Sequence, residues 1–393
     1  MAPSVLPAEA RRPWPQRLIL LDLSRGLASL AVVLWHWQHF AWGFGADPAT
    51  FDRKTQPFFA ALRPFYAQGE YAVYYFFLLS GFIFFWKYWD AIAARRTSLW
   101  QYAGQRWSRL YPLHLATLLL VAGLQAVFVA RTGRPFVYGY NDLYHFVLNL
   151  GFASRWGLER GLSFNGPVWS VSQEVLLYLL FFGAAFMRRG GLALCLGVAA
   201  AALALDGFFV PGLLRAAGMF FLGGGVYYLT AWLAVRRPAA RRGVYALAAL
   251  AWLLVALNYY VVDFRLPAAG RWGDLLILGL ANYGIFPLTV GGLALLELDY
   301  GARWLKRVAW LGDITYATYL LHFPLQLGVA LGVSAGWLAP DFYMRRTALL
   351  AFYGALVPLA YLTYIGFERP LQQRLRRWLA PPPALAESPA LGG

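Results

Sequence analysis

The stretch LDLSRGLASLAVVLWHWQHF, residues 21–40, is long and apolar enough to cross a bilayer, yet it contains Arg25 and His36. A charged side chain at bilayer depth costs about 2.5–3.5 kcal/mol on insertion scales, so such groups usually have a function. Arg25 and His36 are eleven positions apart, which corresponds to about three helical turns and about 16 Å of rise. We therefore expect both on one helix face, with Arg25 toward the cytoplasm and His36 toward the outer side. The simpler alternative is that Arg25 snorkels inward and His36 lies near the outer interface.

The composition of the whole chain predicts an all-α, polytopic integral membrane protein. Hydrophobic residues make up 60% of its 393 residues and charged residues 13%, whereas soluble domains have about 45–50% and about 25%. The net charge of +16 does not indicate a nucleic-acid partner, because the basic residues form short clusters between apolar runs. The single cysteine, Cys195, cannot form an internal disulfide and does not identify the compartment.

Ten segments are predicted as spanning helices by their length and apolar character. They are 18–39, 68–88, 110–131, 168–187, 191–209, 213–235, 243–262, 274–297, 308–333 and 347–367. An eleventh stretch, 143–153, is too short to span and is predicted to be a half-helix in a long outer loop.

The distribution of Lys and Arg predicts the orientation, because cytoplasmic loops are enriched in both. With the N-terminus inside, the inner side holds 21 of them and the outer side 12. We therefore expect both termini in the cytoplasm and a multi-pass location in the cell membrane, the inner membrane of a bacterium. Residues 1–17 are predicted to be a cytoplasmic tail with no cleavable signal peptide, 18–371 a membrane domain, and 372–393 a disordered cytoplasmic tail.

Two arginines, Arg106 and Arg109, open the predicted third span on its cytoplasmic side. Their spacing places them on one helix face. The excess of Arg at cytoplasmic helix ends would by itself explain them. The functional hypothesis is a clamp for phosphate groups, since a guanidinium binds phosphate through two parallel hydrogen bonds.

A polar stripe runs along the predicted span 168–187. Ser170, Glu174 and Tyr178 recur every four residues and so share one helix face. Glu174 lies about two turns inside the outer boundary, which is close to the depth predicted for His36. A carboxylate at that depth needs a partner, either in a functional site or in a structural pair.

A second polar face occurs in LGDITYATYLLHFPL, residues 311–325, where Thr315, Tyr319 and His322 lie together near mid-membrane. An interhelical hydrogen bond is the default role for such a histidine. His36 and His39 have no further ligand at metal-binding spacing, so no metal site is predicted.

Taken in order, these motifs resemble the acyltransferase 3 family of integral membrane acyltransferases, in a stand-alone form without a fused esterase-like domain. The resemblance covers about residues 18–371. The motifs are D-x-x-R-G-x-A with a later His (Asp22, Arg25, Gly26, Ala28, His36), FF-x-x-SGF (Phe76, Phe77, Ser80, Gly81, Phe82), R-x-x-R-x-x-P (Arg106, Arg109, Pro112), W-S-x-S-x-E with a later Tyr (Trp169, Ser170, Ser172, Glu174, Tyr178), LG-x-x-(S/T)Y-x-x-YL-x-H-x-P (Leu311 to Pro324) and E-x-P (Glu368, Pro370).

The resemblance implies transfer of an acyl group, most often acetyl, from a cytoplasmic acyl-CoA to a hydroxyl of a glycan or glycoconjugate at the outer face. It implies no permanently bound cofactor, and membrane lipid as the surroundings. His36 would be the general base on the acceptor hydroxyl, or would carry the acyl group transiently. Arg106 and Arg109 would bind the phosphates of CoA, and Arg25 would lie on the path between them and His36.

The remaining motif residues would support this chemistry. Glu174 or Asp22 would orient the imidazole of His36, because Tyr74 and Tyr75 occupy the places where the family often has an acidic residue. An oxyanion would receive hydrogen bonds from Ser170, Ser172 or Tyr178. The supporting residues are Asp22, Trp169, Ser170, Ser172, Tyr178, Tyr319 and His322.

A transporter or flippase of a lipid-linked sugar or other amphiphile is the alternative. Intramembrane Arg, Glu and His are equally what a proton-coupled carrier needs. The chain shows no pair of Gly- or Pro-broken spans at matching positions in two halves, which disfavours a carrier.

Overall fold

The structure is a computed structural model that describes residues 14–188, 190–205, 212–236, 238–262 and 279–379. Within these ranges it contains no β-strand, and nine helices are long and apolar enough to cross a membrane. The predicted all-α, multi-pass membrane architecture is therefore confirmed.

The helices are numbered in chain order. They are α1 (Ile19–Trp35), α2 (His39–Gly43), α3 (Phe59–Gln68), α4 (Ala72–Lys87), α5 (Trp89–Ala93), α6 (Leu99–Thr132), α7 (Leu143–Leu150), α8 (Trp169–Phe186), α9 (Leu192–Leu205), α10 (Leu213–Ala234), α11 (Pro238–Leu257), α12 (Phe286–Tyr300), α13 (Trp310–Asp313), α14 (Thr315–Ser334), α15 (Arg346–Thr363) and α16 (Arg369–Leu379).

Two predicted spans are described only in part. The segment predicted at 191–209 contains α9, which has 14 residues and so a length of about 21 Å, less than the hydrocarbon thickness. Its last residues, and the start of the segment predicted at 274–297, lie outside the described residues. The stretch 143–153 does form a short helix, α7, of 8 residues.

The third span begins earlier than predicted. Helix α6 has 34 residues and starts at Leu99, where a capping box joins Ser98 and Gln101. Arg106 and Arg109 therefore lie about two to three turns inside the helix. The prediction that they open it is wrong. From this depth their long side chains can reach a buried cavity.

The C-terminal tail prediction is wrong where the structure describes it. Residues 372–379 belong to α16, which packs against α6, and residues 380–393 lie outside the described ranges. Pro381, Pro382 and Pro383 had suggested a disordered tail, but leucines at helical spacing before them give residues 371–379 an apolar helix face. Such basic amphipathic helices lie along a membrane interface.

The N-terminus of α1 is stabilised by a carboxylate from a distant span. Glu297 of α12 accepts hydrogen bonds from the backbone N–H groups of Ile19 and Leu20, at 2.8 and 2.7 Å. The first N–H groups of a helix have no partner within the helix, and negative charge is favourable there. This contact fixes where α1 enters the membrane domain.

Helix α1 also lies close to the segment that leads into α14. A Cβ atom on Gly26 would be 2.7 Å from the carbonyl oxygen of Leu311, and a Cβ atom on Gly312 would be 2.6 Å from Cβ of Asp22. Both glycines belong to the motifs quoted above. Small residues at such contacts allow membrane helices to approach closely.

Helices α4 and α10 pack through a second pair of glycines. A Cβ atom on Gly81 would overlap the backbone of Phe220, and one on Gly223 would overlap the backbone of Leu78. Neither backbone can withdraw without moving a whole span.

We expect Gly81→Ala and Gly223→Ala each to destabilise the protein by about 1–3 kcal/mol, because the added methyl group overpacks the contact. Thermal unfolding in detergent would measure the loss. Gly123→Ala in α6 is the matched control, since no atom lies within 4 Å of its Cβ position, and it should be neutral or slightly stabilising. Equal melting temperatures for all three variants would contradict the packing argument.

Candidate functional site

A cavity of about 120 Å³ opens between α1, α4, α6, α8 and α14. We call it the inner cavity, because its arginines lie on the side predicted to be cytoplasmic. Its polar lining comes from five of the motifs. These lining residues are Arg25, Ser80, Arg106, Arg109, Ser170, Glu174, Tyr178, Thr315, Tyr316 and Tyr319.

The three arginines of the inner cavity are held in different ways. Arg25 donates to the carbonyl oxygen of Gly312 at 2.7 Å and lies 3.5 Å from a carboxylate oxygen of Asp22. Arg106 donates to the hydroxyl of Tyr88, and its guanidinium lies over the ring of the same residue. Arg109 has no hydrogen bond or ion pair within the described residues, so its five N–H donors remain available to a ligand.

Two carboxylates balance part of this positive charge. Glu174 accepts a hydrogen bond from Ser80 and interacts electrostatically with Arg109. Glu368 is buried, interacts electrostatically with Arg109 and Arg25, and has one oxygen without a partner in the described part of the chain. The E-x-P motif thus supplies a second acidic group to the site, which the sequence analysis did not assign.

A pair of histidines lies beyond the inner cavity. The 17-residue helix α1 ends at Trp35, so His36 begins a short 3-10 segment. Its Nδ1 lies 2.9 Å from Nε2 of His322, and the two rings are stacked at an interplanar angle of 11°. We call His36 and His322 the histidine pair.

The hydrogen bonds of the histidine pair determine its neutral tautomers. Nδ1 of His322 lies 2.6 Å from the carbonyl oxygen of Tyr319, which can only accept, so this nitrogen carries the proton. Nε2 of His322 must then accept from Nδ1 of His36. The remaining nitrogen, Nε2 of His36, therefore carries a lone pair, and no described residue donates a hydrogen bond to it.

A third histidine fixes the position of the pair. His39 stacks on His36 with 4.5 Å between ring centroids, and its Nδ1 donates to Oε1 of Gln326 at 3.1 Å. The amide of Gln326 donates in turn to the carbonyl oxygen of His36, and Tyr138 lies 3.2 Å from Nε2 of His39. Both ring nitrogens of His39 are thus satisfied, which indicates a positioning role.

Tyr319 connects the inner cavity to the histidine pair. Its side chain lines the cavity, donates to the carbonyl oxygen of Pro167 at 2.7 Å and lies 2.8 Å from the hydroxyl of Ser170. Its own carbonyl oxygen binds His322. Tyr319 therefore lies between the inner cavity and the histidine pair, about one helical turn before His322.

The structure brings together most of the predicted site residues but not all of them. Arg25 and His36 both face the segment that contains Gly312 and His322, as their spacing predicted. Glu174 has no hydrogen bond or ion pair with His36 in the described part of the chain. The partner of the imidazole is His322, and Asp22 is bonded to Arg17 and Arg25.

Two supporting residues lie away from the cavity. The hydroxyl of Ser172 accepts from the backbone N–H of Arg155 at 3.0 Å, and the carbonyl oxygen of Ser172 accepts from Trp156 at 2.8 Å. Ser172 therefore fastens the outer loop, and it does not line the inner cavity. Trp169 packs against the hydrophobic core.

Metal binding was not expected from the sequence. Across the described ranges, no group of three or more His, Cys, Asp or Glu side chains is placed to hold a metal ion. The absence of a metal remains a prediction.

Two relatives match most of this chain, and a third matches less than half of it. Acyltransferase MdmB from Streptomyces mycarofaciens is 29% identical over 352 residues, covering 82% of this chain and 87% of that protein. The exopolysaccharide production protein ExoZ from Rhizobium meliloti is 27% identical over 319 residues, covering 78% and 91%. Protein 2 in the picA locus of Rhizobium radiobacter is 29% identical over 181 residues, covering 42% and 82%.

No solved structure matches the chain. A family profile described as "Acyltransferase domain" matches residues 18–365, which is nearly the whole membrane domain. The chain therefore belongs to the acyltransferase 3 family and is a membrane-spanning acyltransferase that transfers groups other than aminoacyl groups.

Proposed function

We propose that this acyltransferase moves an acyl group, acetyl in the simplest case, from cytoplasmic acyl-CoA to a hydroxyl of a glycan or glycoconjugate at the outer face of the bacterial inner membrane. One observation carries the proposal. Nε2 of His36 accepts no hydrogen bond from a described residue, and it lies beyond a cavity in which Arg109 makes no hydrogen bond within the described ranges. A base and an anion site are thus separated by little more than Tyr319.

The inner cavity fits the chemistry of a CoA thioester. CoA has phosphates at one end and the reactive thioester at the end of a long flexible arm. Arg106 and Arg109 are placed to bind phosphate, and Arg109 has donors to spare. The arm would extend past Arg25 and Glu174 toward Tyr319, with the polyanionic end left on the cytoplasmic side.

The histidine pair supplies the base. Nε2 of His36 takes the proton from the acceptor hydroxyl, whose oxygen attacks the thioester carbonyl carbon. The carbon–sulfur bond then breaks, and the leaving CoA thiolate takes up the proton that His36 removed, which returns His36 to its neutral form. His322 holds the tautomer of His36 throughout, and its own N–H stays bonded to the Tyr319 carbonyl oxygen. A transient acyl group on His36 would use the same lone pair.

One relative favours a glycan as acceptor. ExoZ is named for exopolysaccharide production, and its match extends over most of both chains. This supports a hydroxyl on a sugar, and hence an ester product, for the protein described here.

The proposal is tested with purified protein in proteoliposomes, supplied with acetyl-CoA labelled in the acetyl group and with a glycan extract from the envelope of cells lacking the gene. We expect free CoA thiol to appear and label to enter the glycan as an alkali-labile ester. Movement of the glycan across the bilayer without any thiol release would indicate a carrier and contradict the proposal.

His36→Gln should lower the transfer rate by at least about 100-fold, since general base catalysis contributes about 10²–10⁴-fold. Label transfer per mole of folded protein measures the loss. His145→Gln is the matched control, because His145 pairs with Asp142 in the outer loop, at 2.7 Å, far from the cavity. Retention of more than about a hundredth of the wild-type rate by His36→Gln would remove the base assignment.

Arg109→Lys should raise the apparent KM for acyl-CoA about tenfold or more and change kcat little. The phosphate contact is made equally in the ground and transition states, and Lys lacks the bidentate fork. Initial rates over a range of acyl-CoA concentrations measure both constants. Arg303→Lys changes an exposed residue outside the cavity, on the side predicted to be cytoplasmic, and should match the wild type. If Arg109→Lys also matches the wild type, Arg109 serves only to orient the helix in the membrane.

A further inference from the structure

Two buried indole N–H groups beside His36 have no acceptor among the described residues. They belong to Trp35 and Trp42, which we call the indole pair. The ring of Trp35 meets that of His36 edge-on, with 4.9 Å between centroids, and the ring of Trp42 lies 5.4 Å from that of His39. A buried donor without an acceptor costs about 1–3 kcal/mol, so two of them side by side require an explanation.

A neighbouring tryptophan shows that this segment can satisfy an indole. Trp37 is fully buried, and its Nε1 donates to the carbonyl oxygen of Tyr343 at 2.8 Å. A third unpaired donor, Nε2 of Gln38, lies in the same segment, while the amide oxygen of Gln38 accepts from Arg53. The surroundings of His36 therefore hold an excess of N–H donors over acceptors.

The indole pair is separate from the inner cavity. Neither indole lines that cavity, whose lining ends at Ser170 and Tyr319. The rings of Trp35 and Trp42 are 6.1 Å apart, and the chain runs outward from the first to the second. Both rings contact the histidines, Trp35 against His36 and Trp42 against His39, so a ligand bound beside His36 at this place would contact them.

We propose that the indole pair forms the acceptor subsite, with its N–H groups bound to oxygen atoms of a carbohydrate next to the hydroxyl that His36 deprotonates. This inference rests on the proposed function. A sugar offers several oxygen atoms that accept hydrogen bonds within a few ångströms of any one hydroxyl. It also presents C–H faces that pack against aromatic rings, so it matches both the spare donors and the aromatic surface.

The test measures initial rates against graded concentrations of the same envelope glycan extract, with acetyl-CoA saturating. Trp35→Phe and Trp42→Phe keep the aromatic ring and remove the N–H group. We expect each to raise the apparent KM for the extract about three- to tenfold, the worth of one hydrogen bond. Their melting temperatures should stay equal to that of the wild type or rise, because neither variant loses a hydrogen bond within the described protein.

Trp37→Phe is the matched structural control. It leaves the carbonyl oxygen of Tyr343 without its donor, so it should lower the melting temperature and leave the apparent KM for the extract unchanged. A merely structural role for the indole pair would give the same pattern in Trp35→Phe and Trp42→Phe.

Two results would overturn the acceptor subsite. One is an unchanged apparent KM for the extract in both Trp35→Phe and Trp42→Phe. If one of these variants does not fold, the KM of the other still decides the question. The other result is a fall in acetyl-CoA hydrolysis without extract at unchanged KM for the extract, which would assign the N–H groups to the thioester carbonyl. Failure of the proposed function is distinguishable, because it would appear as an absence of transfer by the wild-type protein.

Discussion

The close contact between α1 and the segment 311–322 is the constraint on which both regions of the site depend. Gly26 and Gly312 leave no space for a side chain, so the two backbones lie against each other. Arg25 can then reach the carbonyl oxygen of Gly312, and eleven residues later His36 can reach His322. Arg25 and His36 are eleven positions apart, and Gly312 and His322 are ten positions apart. The two helical segments therefore rise by about the same distance between the two contacts. A side chain at either glycine would move the guanidinium and the imidazole together.

Charge is confined to one half of this arrangement. The guanidinium groups of Arg25 and Arg109 lie near Asp22, Glu174 and Glu368, so the inner cavity keeps ionised groups in partial balance. The outer half contains imidazoles that are hydrogen-bonded to each other and to uncharged groups. In the proposed reaction the CoA phosphates bind on one side, and His36 accepts a proton on the other.

The sequence could predict the features that depend on one helix alone. Composition located the spans, and the helical period placed Ser170, Glu174 and Tyr178 on the same cavity wall. The partner of His36 could not be predicted in this way, because it depends on how two spans 286 residues apart are rotated and how deep each lies. Similar depth had suggested Glu174, whereas stacking and a hydrogen bond select His322. The indole pair was missed for the same reason, since only the fold shows which indole N–H groups find an acceptor.

A single wall, formed around Tyr319, separates the inner cavity from the histidine pair. The side chain of Tyr319 is held against Pro167 and Ser170, and its carbonyl oxygen orients the histidine pair one turn farther out. In the proposed reaction the thioester needs to reach only this wall, while the phosphates remain with Arg106 and Arg109. The acceptor comes from the opposite side, so neither substrate has to cross the membrane. The acyl group alone makes the passage. Because it is small and uncharged, it avoids the cost of carrying a charge through the bilayer centre that the CoA phosphates would incur.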